Sequence, residues 1–393
     1  MIWIPRKIEK VLQEAVGTRP AVLLTGARQT GKSTLFKKLY PDVPYFSFDR
    51  FLLAEEAQNN PESFLVALSM HPQVMLDEIQ YAPRLFPELK LKIDQDRQSY
   101  GRWLLTGSQK FQLMHEVSES LAGRIRILHL ETLSAEELRH SQLFSQAEMD
   151  LFLLKGGYPE LWENPVLKPR DFFSDYVQTY LEKDLKNIVA SKRLRDFQKF
   201  LLMCASRIGQ ILNFSDLSKE LGITVPVVKA WLNALEISGV LYLLPPYYQN
   251  LGKRLIKAPK LYFADHGLAA YLLNIESPDQ LSVSPFKGAF WENIVFNEII
   301  KTTGAIPGRG LFFYRDQNGV EIDFLLEHHH RIILIEAKAQ EMPRGLKLNF
   351  SKVSPLIRDK SVDSVLACSV QEDRLIHYQD YRLWNPLRCS FVM

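Results

Sequence analysis

The eight residues Gly26 to Ser33, GARQTGKS, constrain this chain more than any other stretch. They follow a short apolar run, AVLLTG (Ala21 to Gly26), and lead into KSTLFKKLY, whose apolar spacing suits a helix. Strand, glycine-bounded turn and helix in that order fit G-x-x-x-x-G-K-[ST] at every fixed position. Gly26 and Gly31 let the backbone curl until its N–H groups point inward at phosphate oxygens, and the helix that follows adds its positive N-terminal end. Lys32 is placed to reach the β- and γ-phosphates and the Ser33 hydroxyl to ligate Mg²⁺. Gly26, Ala27, Arg28, Gln29, Thr30, Gly31, Lys32, Ser33 and Thr34 are therefore the candidate nucleotide-binding residues, and ATP and Mg²⁺ the implied cofactors.

Two more apolar runs end in chemistry. QVMLDE (Gln73 to Glu78) places Asp77 and Glu78 at the C-terminal end of a strand, where a doubly wound sheet binds ligands. Asp77 is expected to hold Mg²⁺, and Glu78 to orient and deprotonate the attacking water. WLLTGS (Trp103 to Ser108) ends beside the expected γ-phosphate, with Ser108 or Gln109 as its sensor. In SESLAGRIRI, Arg124 follows a helix-like segment and a glycine, a place from which an arginine can enter a neighbouring subunit's site as a finger. Apolar runs alternating with helical patterns predict an α/β fold with a parallel, doubly wound sheet ending near Leu130.

With 393 residues, 46% apolar and 24% charged, the chain has room for several cores, and no run of about 18 apolar residues predicts a membrane span. The first residues lack a signal-peptide core, and three scattered cysteines suit a reducing compartment, so a cytoplasmic location is expected. The pattern divides into an ATPase core at 1–131, a helical lid at 132–190, a winged helix at 191–273 and a last α/β domain at 285–393. The loop NIESPDQLSVSP reads as the linker into that domain.

GARQTGKST, VMLDEIQ, LLTGSQKF, ESLAGR and GGYPEL together resemble a family of AAA+ ATPases of bacteria and archaea that carry an N-terminal ATPase core and a C-terminal domain of unknown function. The resemblance covers nearly the whole chain. It implies a homo-oligomer, up to a hexameric ring, and makes Arg28 a candidate contact near the nucleotide or a neighbour.

Asn213 to Leu235, NFSDLSKELGITVPVVKAWLNAL, has helix–turn–helix spacing, with Val240 to Phe263 as the hairpin wing. Residues 191–260 hold eleven Lys or Arg against four Asp or Glu, a candidate phosphate-binding face. Lys229, Lys253, Arg254 and Lys257 are the candidate DNA contacts, directed at the backbone rather than at base edges.

Near the C-terminus, VEIDFLLE and RIILIEAK read as a hairpin turning at His329 and His330. That register sets Asp323 across from Glu336, with Lys338 on the same face, and two carboxylates that close ask for a cation between them. The three histidines His328 to His330 belong to the turn rather than to a metal site. The D-x₁₂-E-x-K spacing resembles that of PD-(D/E)XK nucleases, a fold of restriction-endonuclease-like α/β domains, with Ile322 in place of the motif's proline. That likeness implies a preceding helix with a glutamate, Glu292 by choice and Glu298 as the alternative. Glu292, Asp323 and Glu336 would hold a second divalent metal, and Lys338 would aid the attacking water. The combined expectation is an ATPase acting on branched or broken DNA in repair, recombination or defence, with endonuclease activity of the last domain left open. The alternative is a regulatory or signalling ATPase whose winged helix and inactive nuclease-like domain bind protein partners.

Overall fold

The structure is a computed structural model that describes residues 3–108, 120–181, 194–247, 257–341, 345–357 and 360–391. The chain divides into two compact units, one of Pro5–Glu131 with Ile237–Gly239, the other of Met1–Ile4 with Thr132–Glu236 and Val240–Met393.

The first unit is built on strands β1 (Ala21–Gly26), β2 (Tyr45–Ser47), β3 (Val74–Asp77), β4 (Trp103–Ser108) and β5 (Ile125–His129). They form a parallel sheet of order β2-β3-β4-β1-β5. Strands β1, β3 and β4 are buried along their whole length. That is why their sequences are continuous apolar runs rather than alternating ones. The helices Phe51–Asn59, Pro61–Ala67 and Leu85–Gln95 send Ala54, Phe64, Phe86 and Leu89 into the same core as Leu23, Leu76 and Leu105. The parallel α/β class and the three strands expected from sequence are present. β2, only three residues long and half-buried, gave no periodic signal.

In the second unit, the expected segments 132–190, 191–273 and 285–393 share one hydrophobic core that includes Leu133, Trp162, Phe200, Trp231, Phe296 and Trp384. The GGYP stretch helps to close it. A Cβ on Gly156 would lie 2.0 Å from Asp265 Oδ1, and one on Gly157 2.2 Å from the Leu133 carbonyl oxygen. The Asp265 carboxylate accepts from the Gly157 and Gly267 amides at 2.8 and 2.9 Å and from the Thr132 hydroxyl at 2.8 Å. The glycines are thus places where backbone and a buried carboxylate meet.

Helices Leu194–Ala205, Phe214–Leu221 and Val225–Ile237 precede the antiparallel pair β6 (Leu241–Leu244) and β7 (Lys260–Phe263). Asn213 caps the second helix and Gly222, left-handed at φ +66°, ends it. Trp231 packs edge-on against Phe197 and Phe200, so the apolar face of the third helix points inward. The segment expected as a plain linker holds a helix, Pro278–Val283, started by the Ser277 side chain accepting from the Gln280 amide. After the helix Lys287–Thr303 come β8 (Ile306–Pro307), β9 (Gly310–Arg315), β10 (Glu321–His328), β11 (Arg331–Lys338), β12 (Ser361–Cys368), β13 (Ile376–Tyr378) and β14 (Tyr381–Trp384). They form a mixed sheet of order β13-β14-β12-β11-β10-β9-β8.

Candidate functional site

β1 and the helix Lys32–Leu39 hold the phosphate loop between them. Gly26 at φ +145° and Gly31 at φ +92° take conformations that side chains resist, and a Cβ on Gly26 would meet the Leu130 carbonyl oxygen at 2.3 Å. Gln29, without that freedom, is also left-handed. Lys32 is buried, and its ammonium folds back to donate to the carbonyls of Ala27 at 2.8 Å and Gly26 at 3.2 Å. The Thr30 hydroxyl donates to the Ala27 carbonyl at 3.0 Å. Arg6, buried under the loop, donates to the backbone carbonyls of Thr30 at 2.9 Å and Glu131 at 2.6 Å. Arg28 reaches the Tyr81 hydroxyl at 3.3 Å.

Because β4 lies between β1 and β3, the ends of all three strands converge beside this loop. The Asp77 carboxylate accepts from the hydroxyls of Ser33 (2.5 Å), Tyr45 (2.5 Å), Ser47 (3.3 Å) and Thr106. Burial, and then the bond to Asp77, push the Tyr45 phenol well above its usual pKa. A serine hydroxyl facing an aspartate at the end of the loop is a donor set that suits Mg²⁺, so these residues fit the ion. Glu78 is left-handed at φ +55°, a strained setting for a side chain, and its amide donates to Thr106 Oγ1 at 3.2 Å. Its carboxylate accepts from the Gln80 amide, which also donates to Ser108 Oγ at 3.1 Å. Gln80 thereby ties the candidate base to the candidate sensor. Gln109 lies outside the described residues.

Arg124 is engaged within its own chain. Nε and Nη2 each donate to one oxygen of Asp94 at 2.8 Å, a two-pronged pair with the end of the helix Leu85–Gln95. Hydrogen bonds from Arg124 and Arg97 pull the Asp94 carboxyl down to about 2.

Residues 18–139 match the family model described as an AAA domain. This part of the chain is an α/β AAA+ ATPase core. Residues 146–279 and 287–366 match two models that are each described as a domain of unknown function. Two uncharacterized proteins, of Mycobacterium tuberculosis and Mycobacterium bovis, are each 29% identical over 360 residues, covering 91% of this chain and 77% of theirs. Among solved structures, a Walker-type ATPase of Pyrococcus abyssi is 18% identical with a TM-score of 0.42, covering 69% of this chain and 96% of that one. The RuvB Holliday junction branch migration motor of Thermotoga maritima is 18% identical with a TM-score of 0.31, covering 61% and 89%. Cdc6p of Pyrobaculum aerophilum is 14% identical with a TM-score of 0.31, covering 70% and 95%.

Of the expected DNA contacts, Lys229 and Lys257 are exposed, Lys229 with its ammonium 5.4 Å from the Phe214 ring centre. Lys253 and Arg254 lie outside the described residues. Lys260, counted above with the basic face, is not on it: it is buried at 2% exposure.

The C-terminal carboxylates do converge, but around that lysine. The β10–β11 register pairs Phe324 with Ile335 and His328 with Arg331, which sets Asp323 across from Glu336 and leaves His329 and His330 as the turn. Lys260 Nζ, from β7, lies 2.9 Å from Glu292 Oε1, 2.5 Å from Glu321 Oε1 and 3.5 Å from Asp323 Oδ1. Tyr262 donates to Glu292 at 2.6 Å. Asp323 also accepts from the Ala337 amide at 2.8 Å, and Glu336 from the Asn349 amide at 2.6 Å. Lys338 completes the set at 3.6 Å from Asp323 and 3.5 Å from Glu336. Burial pushes the Glu292 carboxyl up to about 7 against the pull of Lys260. Burial opposes charge on Lys260 too, yet Glu292, Asp323 and Glu321 hold it above its ordinary pKa. Space beside Glu292 comes from Gly209, where a Cβ would sit 3.4 Å from the carboxylate.

The fit of a resident metal fails here. An ammonium already lies among the oxygens that would hold it, and among the described residues no group of three or more His, Cys, Asp or Glu has metal-holding geometry. In this arrangement Glu292, Asp323 and Glu336, expected as metal ligands, are members of an ion-pair network, and Lys338 is another. Glu298, the alternative ligand, lies elsewhere: its Oε2 accepts from the Ala135 amide at 3.1 Å. Sequence reading also passed over Arg6, Tyr45, Gln80, Thr106 and Lys260. Gln80 and Thr106 lie inside the quoted stretches VMLDEIQ and LLTGSQKF without a role assigned to them, and only three-dimensional convergence reveals what these residues hold.

Proposed function

We propose that this protein is a Mg²⁺-dependent ATPase whose turnover is coupled to binding of the DNA backbone, with branched or broken DNA as the substrate class. The observation that carries the catalytic half is the convergence of Lys32, Ser33, Asp77, Glu78 and Ser108 beside one loop. The loop amides would cradle the phosphates, and Lys32 would exchange the carbonyls of Gly26 and Ala27 for phosphate oxygens. Ser33 and Asp77 would hold Mg²⁺, which supplies charge neutralisation at the β- and γ-phosphates. Glu78 would accept the proton of the attacking water. Ser108, drawn to the γ-phosphate, would release Gln80 and with it the Glu78 carboxylate. In a homo-oligomer, Arg124 would leave Asp94 and enter a neighbour's site.

The DNA half is supported by exposed Lys229 and Lys257 in a segment rich in basic residues and arranged as three helices and a hairpin, the order of a winged helix. No cleavage step is proposed, because the acidic cluster does not fit a metal. That observation favours a second reading, a regulatory ATPase whose C-terminal part docks protein. ATPase rates with duplex, branched and single-stranded DNA separate the two. The DNA reading expects a several-fold rate increase with at least one form, and binding that weakens as salt rises. Unchanged rates with all three, and binding that ignores salt, would leave the docking reading in its place.

A further inference from the structure

Four carboxylates and two lysines of the second unit meet in one place, and their arrangement is unequal. Lys338, on β11, is a third exposed and sits to one side, more than 3 Å from Asp323 and Glu336. Lys260, almost wholly buried, enters from β7 and meets three carboxylates on two other elements: Glu292 on the helix Lys287–Thr303, and Glu321 and Asp323 on β10. Its closest approaches are hydrogen-bonding distances for an ammonium, longer than the about 2.0–2.1 Å that Mg²⁺ takes to oxygen. A divalent ion on the same oxygens would lie against a positive charge that cannot leave, because the stem of Lys260 is fixed in a strand paired along its length with β6.

We infer that Lys260 is a built-in cation that closes a divalent-metal site in this domain, so that the natural chain uses the acidic cluster as a metal-free clamp and the site opens only when the lysine is removed. The clamp joins the hairpin that follows the three helices to the C-terminal sheet, two segments that the sequence reads as separate domains. An ammonium satisfies the geometry better than a free ion would, since its three N–H groups match three carboxylates, one on a helix and two on β10. A buried charge of this kind is retained only where each charge has its partner, and removing one partner leaves the others uncompensated. A divalent cation is the ligand chemistry that the vacated position would take, because hard carboxylate oxygens are its preferred donors. The inference rests on the cluster and is independent of the ATPase reading.

The test is Mn²⁺ binding without nucleotide, followed by the electron paramagnetic resonance signal of free Mn²⁺, on the full chain carrying Asp77→Ala so that the phosphate-loop site contributes nothing. Four further changes are compared in that background: Lys260→Ala, Lys260→Met, which keeps the apolar stem, Lys260→Ala with Asp323→Asn, and Asp323→Asn alone. The parent chain is expected to bind no Mn²⁺ at this cluster. The two Lys260 variants are expected to gain one equivalent at least tenfold tighter than any parent binding, and the added Asp323→Asn to abolish it. Mn²⁺ held by the parent and lost on Asp323→Asn would overturn the inference, and that arm needs no change at Lys260. Folded Lys260 variants, judged by circular dichroism, that bind no more Mn²⁺ than the parent would overturn it equally.

Discussion

At the scale of single residues, the structure separates polar groups that do chemistry from polar groups that hold the fold, a division the sequence shows poorly. Glu298 is the clearest case. It stood as an alternative metal ligand because it lies on the right helix, yet it is buried and pushed up to about 7, chiefly by burial. A carboxyl raised from 4.5 to about 7 on folding binds more protons folded than unfolded between those values, so stability falls as pH rises through that window. Glu298→Gln is expected to flatten that part of the melting-temperature profile between about pH 4.5 and 7 and to leave the chain relatively more stable at pH 8; an unchanged slope would contradict the assignment. The glycines of GGYP were legible as a motif but not as packing. Gly157→Ala forces a Cβ into the Leu133 carbonyl, and urea denaturation is expected to show a loss of about 3 kcal/mol or more, as for overpacking against backbone that cannot give.

At the scale of elements, strands buried on both faces and the hairpin register were readable because each leaves a simple pattern: an unbroken apolar run, or a period of two. β2 was not, because three half-buried residues carry no period, and with it went Tyr45 and its bond to Asp77. The helix Leu85–Gln95 matters for what its end holds. Asp94 keeps Arg124 in a two-pronged pair that no local pattern announces, since the partners are 30 residues apart. If Arg124 serves a neighbouring subunit, Asp94→Ala should raise the ATPase rate per chain at concentrations that favour assembly, and Arg124→Ala should lower it by about 10³-fold or more. Mixing inactive Glu78→Gln chains with inactive Arg124→Ala chains is then expected to restore activity. Two inactive variants that stay inactive when mixed would place the arginine in its own site or outside catalysis.

At the scale of the whole molecule, two lines of chemistry meet in one chain and differ in completeness. The N-terminal unit brings its sequence motifs to one place in an arrangement that fits ATP and Mg²⁺. The second unit also brings its motif residues together, but with Lys260 against Glu292 and Asp323, so spacing along the chain foresaw the convergence and not that lysine. That lysine was out of reach of pattern reading because it comes from a strand 61 residues before Glu321, counted there as part of a basic surface. The central claim is that Glu78 acts on water at a nucleotide held by Lys32, and it is tested most directly by measuring nucleotide binding and steady-state hydrolysis together in the natural chain, Lys32→Ala and Glu78→Gln. The account predicts that Glu78→Gln still binds ATP while hydrolysis falls at least 100-fold, within the about 10²- to 10⁴-fold range of a lost general base, and that Lys32→Ala loses both. Hydrolysis by Glu78→Gln at the natural rate would contradict it.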